Sequence, residues 1–247
     1  MSVAPPPRIA WLSADDPPER FPDIERACRE PDGLLAAGGD LSGARLLYAY
    51  RHGIFPWYED GQPILWWSPD PRCILRPREF HVARRLQRWL RDCPYSVRFN
   101  SDFGAVVEGC AGRRFGQQGT WITAEMAAAY ADLHRAGWAH SVEVWHEDRL
   151  LGGLYGLAIG RAFFGESMFS RATNASKIAM LALCRHMAGR GMNLLDCQVI
   201  SPHLLTLGAV AVPRSEFRVL LAAACEPPTA ARDWPADALP ARALAAA

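Results

Sequence analysis

The chain of 247 residues carries 27 Lys and Arg against 26 Asp and Glu, so its formal charge is +1 and no global field draws it to nucleic acid or membrane. Any polyanionic partner must be met by a local patch. A hydrophobic fraction of 50% beside 21% charged residues excludes a wholly disordered chain, and the length is enough to bury a core without disulfide staples.

Residues 1–7 include three consecutive prolines and show no basic start followed by an apolar run, so no secretory signal is expected. Residues 42–53 predict a helix, with Ser42 as N-cap, Gly53 just past the end, and Leu46, Leu47 and Tyr50 as the apolar stripe. Pro56, Pro63, Pro69 and Pro71 then exclude helix and predict extended chain and turns at a domain junction. Residues 80–92 read as a second helix, with Val82, Leu86, Trp89 and Leu90 on one side and Arg84, Arg85, Arg88 and Arg91 toward the other. From Arg72 to Asp92 seven arginines face only Glu79 and Asp92; this is where the neutral chain keeps its cations.

Residues 123–136 predict a helix capped by Thr123 and stopped by Gly137, with Met126, Tyr130 and Leu133 inward. Residues 140–146 alternate as a strand does, and 150–159 with 161–169 read as a hairpin around Gly160. A helix over about 174–189, a strand over 193–200 and a short helix opened by Ser201-Pro202 and closed by Gly208 follow. Helices and strands mixed in this order favour an α+β fold over a regular βαβ series. The last residues, 226–247, are rich in Ala and Pro and are expected to pack loosely, as are the first.

The seven cysteines are odd in number and show no C-x-x-C spacing, so they read as reduced thiols of a cytoplasmic protein. The best apolar stretch, 178–184, is closed by Lys177 and Arg185 and is far too short to span a membrane. Lys177 is the only lysine in the chain, every other fixed cation being arginine, which flags a position suited to a compact ammonium.

The strand at 194–200 carries the most chemical information. Period-2 alternation puts Asp196 and Gln198 on one face with Leu194 and Ile200, and an acid beside an amide near a core needs partners. Either the two bond nearby loop backbone, or they face a cleft. Glu166 is equally isolated, in Phe163-Phe-Gly-Glu-Ser-Met-Phe169; it either pairs with a distant arginine or shares that cleft. Two lone carboxylates in apolar strands suit a site for a cationic substrate. Trp89 reads as core, whereas Trp57 and Trp121 lie in loop segments where an aromatic can stack on an unpaired base or plug a gap. The spacing of His140, Glu143 and His146 is not that of a metal motif, alternation points Cys197 away from Asp196, and Gly152-Gly153-x-x-Gly156 lacks the lysine of a phosphate loop.

Seven segments in order resemble a leucyl/phenylalanyl-tRNA-protein transferase. They are Gly53-Ile-Phe-Pro-Trp57, Leu65-Trp-Trp-Ser-Pro-Asp-Pro-Arg72, Gly119-Thr-Trp-Ile122, His140-Ser-Val-Glu-Val-Trp145, Gly165-Glu-Ser-Met-Phe-Ser170, Asn174-Ala-Ser-Lys177 and Asp196-Cys-Gln-Val199. The resemblance covers about residues 30–217. It implies a small N-terminal domain (1–70), a GNAT-like acyl-CoA N-acyltransferase domain (71–225) and an Ala/Pro-rich tail (226–247). It further implies transfer of Leu or Phe from aminoacyl-tRNA to the α-amine of proteins that begin with Arg or Lys, marking them for N-degron proteolysis. By that analogy Trp57 and Trp121 hold the terminal adenosine, Leu154, Phe163, Leu183 and Leu195 line the amino-acid pocket, and Glu166, Asp196 and Gln198 form the reacting centre. Leu154 stands where a Met is familiar and Leu183 where a Phe is, which bears on the preference between Leu and Phe.

An aminoacyl ester is already activated, so the reaction implied needs neither cofactor nor metal, only alignment of an amine with a carbonyl. Gln198 could position the amine, with Asp196 polarising Gln198 or fixing the orientation of its amide, and Glu166 binding an ammonium or guanidinium. The arginines at 84, 85, 88 and 91 are expected to meet tRNA phosphates, and the protein is expected to act as a monomer away from membranes. The rival reading is an acetyl-CoA-dependent N-acetyltransferase on the same fold, against which residues 170–177 lack the glycines of a pyrophosphate turn. A non-catalytic RNA-binding module would leave Asp196 and Gln198 unexplained.

Overall fold

Two sheets organise the residues that the structure, a computed structural model, describes: 9–112, 122–227, 229–230 and 233–245. In the first sheet β1 (Ala10–Leu12) runs parallel to β2 (Leu34–Gly38), and α1 (Gly43–Arg51) follows before β3 (Phe55–Pro56) and β4 (Leu65–Trp67) complete the order β1-β2-β4-β3. Ser42 caps α1 as expected, its side chain accepting the Arg45 N–H. Pro56 is tolerated because β3 is an edge strand, where a missing N–H costs no ladder bond. Gly53 takes φ +77°, and a Cβ there would come within 2.9 Å of the Phe217 ring, so both conformation and space demand glycine.

The second sheet is built from β5 (Arg72–Leu75), β6 (Ser96–Phe99), β7 (Ala139–His146), β8 (Arg149–Ile159), β9 (Ala162–Ser170), β10 (Leu194–Gln198), β11 (Val210–Val212) and β12 (Leu239–Pro240). Its order is β11-β5-β10-β9-β8-β7-β6-β12. All neighbours are antiparallel except β9 and β10, whose parallel pairing requires a crossover; α5 (Ala175–Gly189) supplies it. Successive residues of β9 and β10 serve opposite faces. Phe164 and Leu194 join a core shared with the first sheet, α1, α3 (Phe103–Ala111), α4 (Ala124–Arg135) and α7 (Arg214–Ala224). Phe163 and Leu195 join the other core, under α5 and α2 (Arg84–Leu90).

Three expectations need correction. The helix expected over 80–92 begins only at Arg84, because His81 gives its N–H to the Leu207 carbonyl (2.9 Å) and holds the preceding residues against α6 (Pro202–Thr206). Of the tail expected to pack loosely, the described residues 239–245 do not. They add β12 to the edge of β6, donate the Ala241 N–H to the Tyr95 carbonyl (2.8 Å) and bury Ala241 and Leu244 with Leu86 and Leu90 of α2. Finally, α3, α7, β1, β2, β5, β6 and β11 were not anticipated. Two glycines weaken the helical signal of α3, yet a Cβ at Gly109 would lie 2.7 Å from the Phe169 ring, so the glycine lets helix and sheet touch.

Candidate active site

The site begins where β9 and β10 part. Their pairing runs from Leu194/Ala162 to Asp196/Phe164 and then stops, while β9 continues to Ser170. On its other side β10 carries a bulge: Asp196 faces Ile74 and Gln198 faces Cys73, leaving Cys197 as the extra residue. Gln198 takes φ +63°, a left-handed conformation that costs a non-glycine residue of order 1–3 kcal/mol. The Gln198 N–H donates to Asp196 Oδ1 (2.9 Å), which secures that conformation. Asp196 thus acts on the Gln198 backbone, and the expectation that it orients the side-chain amide is corrected.

Nor is Asp196 a lone carboxylate. Arg72 grips it through Nε (2.9 Å) and Nη2 (2.7 Å), and both side chains are fully buried. The third arm of Arg72 donates to the Gly53 carbonyl (3.1 Å), and its guanidinium lies over the rings of Phe55 and Phe217 at 4.8 and 4.6 Å. The arginine partner weighed for Glu166 therefore belongs to Asp196. It also leaves the surface cluster of cations one member smaller than counted from sequence.

Glu166 is held without a cation. Tyr50 of α1 donates to its Oε1 (2.7 Å), Tyr130 of α4 to its Oε2 (2.8 Å), and the two phenol groups hydrogen-bond to each other. Gln198 Nε2 donates to Glu166 Oε1 across the gap between the strands (3.0 Å). Burial outweighs these donors and pushes the carboxyl from its ordinary 4.5 up to about 7, with Asp196 adding to the rise. Burial also raises both phenols well above their usual range, aided by the charge of Glu166.

Above this network opens a cavity of about 320 Å³. Leu154, Phe163, Leu183 and Leu195 line it together, as do Trp57, Glu166 and Gln198. Asp196 lies behind its wall. Met168, Met180 and Leu204 add lining that sequence alone did not single out, and Cys197, which alternation pointed away from Asp196, lines it too. Trp57 is 44% exposed at the rim, tilted against Trp67, whose indole N–H fixes the Trp57 carbonyl (2.7 Å). Trp121 lies outside the described residues.

Tyr50, Tyr130 and Arg72 escaped the sequence reading as functional residues. A phenol in the apolar stripe of each helix was the available signal, since a buried hydroxyl requires a partner. Arg84, Arg85, Arg88 and Arg91 are exposed on α2 and do not enter the cavity. His140 and Glu143 are engaged elsewhere: Glu143 accepts from the Ser101 and Ser141 hydroxyls (2.7 and 2.6 Å), and His140 stacks on Trp234 with its pKa lowered by burial to about 3. Among the described residues no group of three His, Cys, Asp or Glu could hold a metal ion.

Comparison with known proteins adds to this geometry. Residues 74–222 match the family model described as leucyl/phenylalanyl-tRNA protein transferase, and residues 39–70 match that of its N-terminal domain. A Pseudomonas entomophila protein named leucyl/phenylalanyl-tRNA–protein transferase is 56% identical over 223 residues, covering 90% of this chain and 98% of its own. A Pseudomonas aeruginosa protein of the same name is 58% identical over 209 residues, covering 85% and 92%. Among solved structures, a GCN5-related N-acetyltransferase from Kribbella flavida superposes with a TM-score of 0.36 at 10% identity, covering 66% of this chain and 58% of that one. That likeness is too distant to carry an argument.

Proposed function

The chain belongs to the leucyl/phenylalanyl-tRNA protein transferase family, so it is an enzyme that passes an aminoacyl group from tRNA to protein, and we propose that the cavity ending on Glu166 and Gln198 is where it does so. In this reading the cavity takes the side chain of Leu or Phe, Trp57 and Trp121 flank the terminal adenosine, and the acceptor is the α-amine of a protein that begins with Arg or Lys. Such tagging belongs to N-degron proteolysis in the cytoplasm. The enzyme works as a monomer, and residues 71–225 form a GNAT-like domain. The parallel β9–β10 pair, joined by α5 and open at its carboxyl end, supports that fold assignment.

The single observation that carries the mechanism is the Gln198–Glu166 hydrogen bond. It commits the Gln198 NH₂ to Glu166, so the amide oxygen is left to accept from an amine in the cavity. The amine nitrogen then attacks the ester carbonyl carbon; the new C–N bond forms as the C–O bond to the ribose breaks. One proton leaves the nitrogen and one ends on the departing ribose oxygen. An α-amine with a pKa near 8 is partly neutral at cytoplasmic pH, so an orienting acceptor suffices. Asp196, Arg72, Tyr50 and Tyr130 are positioning residues in this scheme. Glu166 and Gln198, on the cavity wall, meet the acceptor.

Incubating the protein with an Arg-starting peptide and either Phe-tRNA or acetyl-CoA tests the reading. Peptide extended by Phe from the tRNA supports it. Acetylated peptide with no Phe transfer overturns it in favour of an acetyltransferase.

A further inference from the structure

A second groove, of about 660 Å³, lies along the same two helices that wall the aminoacyl cavity. Lys177 of α5 and Leu207 just past α6 line it, while Met180 and Leu183 of α5 and Leu204 of α6 line the cavity. Lys177 precedes Met180 by three residues, about 4.5 Å along the helix axis. The groove is therefore the cavity's neighbour by less than one helical turn.

Its chemistry differs from that of the cavity. Cationic and polar residues converge on it from separate elements: Lys177 and Asn174 at the start of α5, Arg85 on α2, and His81. No acidic side chain is on its wall, and the first turn of α5 contains none. Neither Lys177 nor Arg85 takes part in a salt bridge among the described residues. The charge of Lys177 is also felt by His203 on α6, whose pKa falls through burial and this neighbour. Trp89, set edge-on to Tyr95, supplies an aromatic wall.

Cations beside an aromatic ring suit a single nucleic-acid strand, with phosphates on the charges and a base against the ring. The helices α5 and α6 border both the cavity and this groove, so a strand whose last nucleotide sits at Trp57 can run along them toward the arginines of α2. This groove lies on that course, with Arg85 common to it and those arginines. We infer that the groove holds the phosphodiesters of the unpaired 3′ strand just upstream of the terminal adenosine, with Lys177 and Arg85 as the phosphate ligands. This rests on the proposed aminoacyl-tRNA reading and deepens it. The single lysine of an otherwise all-arginine chain thus stands on the wall of this groove.

The test compares amide-linked phenylalanyl-adenosine, which has no phosphodiester, with a single-stranded RNA tetranucleotide ending in the same group. The tetranucleotide should bind wild type more tightly, and increasingly so as salt is lowered. In Lys177→Gln or Arg85→Ala the slope of log K against log salt for the tetranucleotide should fall by roughly 0.7 for each phosphate that is no longer neutralised. Lys177→Arg, which keeps the charge, should fall less, and thermal melts confirm that each variant is folded. If wild type binds phenylalanyl-adenosine yet both charge-removing variants keep its tetranucleotide slope, the groove assignment is overturned and the functional reading stands. If wild type does not bind phenylalanyl-adenosine, both are overturned.

Discussion

Arg72 and Asp196, 124 residues apart in the chain, meet through two parallel hydrogen bonds of 2.9 and 2.7 Å with neither side chain open to solvent. The same carboxylate accepts the Gln198 N–H, so the ion pair underpins the bulge that carries Gln198 to Glu166. Replacing Asp196 by Asn leaves a buried guanidinium without its counter-charge, a change that costs about 3–5 kcal/mol. The denaturant midpoint of Asp196→Asn should fall accordingly, and kcat should fall with it while the KM for aminoacyl-tRNA stays within a few-fold. Wild-type stability in this variant would show that the pair does not hold the bulge.

Glu166, Tyr50 and Tyr130 form three oxygen-to-oxygen contacts among themselves. With Glu166 ionised only two phenol protons are available to fill them. A protonated carboxyl supplies the third: the Tyr130–Glu166 bond, in which the phenol donates to the ionised acid, then reverses, and the bonds run one way around the ring from Glu166 to Tyr130 to Tyr50 and back. Proton counting and burial thus agree in favouring the acid form, in line with a pKa near 7. Because the folded value lies above the unfolded 4.5, the folded state holds a proton between these limits that the unfolded chain has released. The resulting stabilisation is complete below 4.5, declines as pH rises through about 7, and amounts to roughly 3 kcal/mol. Melting curves from pH 5 to 8 should show this loss in wild type and not in Glu166→Gln. Parallel pH profiles for the two proteins would refute the assignment.

The helices that frame the site were legible because their ends are marked. Ser42 and Thr123 cap α1 and α4 by accepting the backbone N–H of Arg45 and Met126, and Gly137 turns the chain at φ +81°. Glu166 and Gln198 stood out because a polar side chain in an apolar strand has to be answered by something. What answers them was hidden. Tyr50 and Tyr130 look like ordinary apolar-stripe residues until α1 and α4 are brought against β9, and Arg72 follows a proline in a run with no periodicity. The bulge at Cys197 was equally hidden, since strict alternation assigns Asp196 and Gln198 to one face, whereas in the fold one meets Arg72 and the other the cavity. Local pattern finds elements; only the pairing of distant strands finds partners.

The exposed arginines of α2 give a separate prediction. Leu86 and Leu90 anchor the helix in the core, and Arg84, Arg85, Arg88 and Arg91 remain in solvent. If they meet phosphates of the tRNA body, the double substitution of Arg84 and Arg88 by Ala should lower the salt slope of tRNA binding by roughly 0.7 to 0.9 for each phosphate those side chains neutralise. Melting temperature should hardly change, because neither side chain is buried. An unchanged slope would make these arginines a solvated face.

Leu183, buried on α5, closes the apolar cavity together with Leu154, Phe163 and Leu195. If this cavity takes the aminoacyl side chain, as proposed, the size of Leu183 sets how large a side chain can enter. Substituting Phe fills part of the 320 Å³ and should penalise a phenylalanyl donor more than a leucyl one, because the aromatic ring needs the space that the new side chain takes. Steric discrimination of this kind is worth about 1–3 kcal/mol, so the ratio of kcat/KM for Phe-tRNA over Leu-tRNA should drop by roughly 10- to 200-fold in Leu183→Phe. Leu183→Ala, which enlarges the cavity, should move the ratio the other way. The two variants guard against each other's failure, since overpacking and cavity formation both destabilise but only a true specificity wall shifts the ratio in opposite directions. Ratios that move together, or not at all, would place the donor side chain somewhere other than against α5.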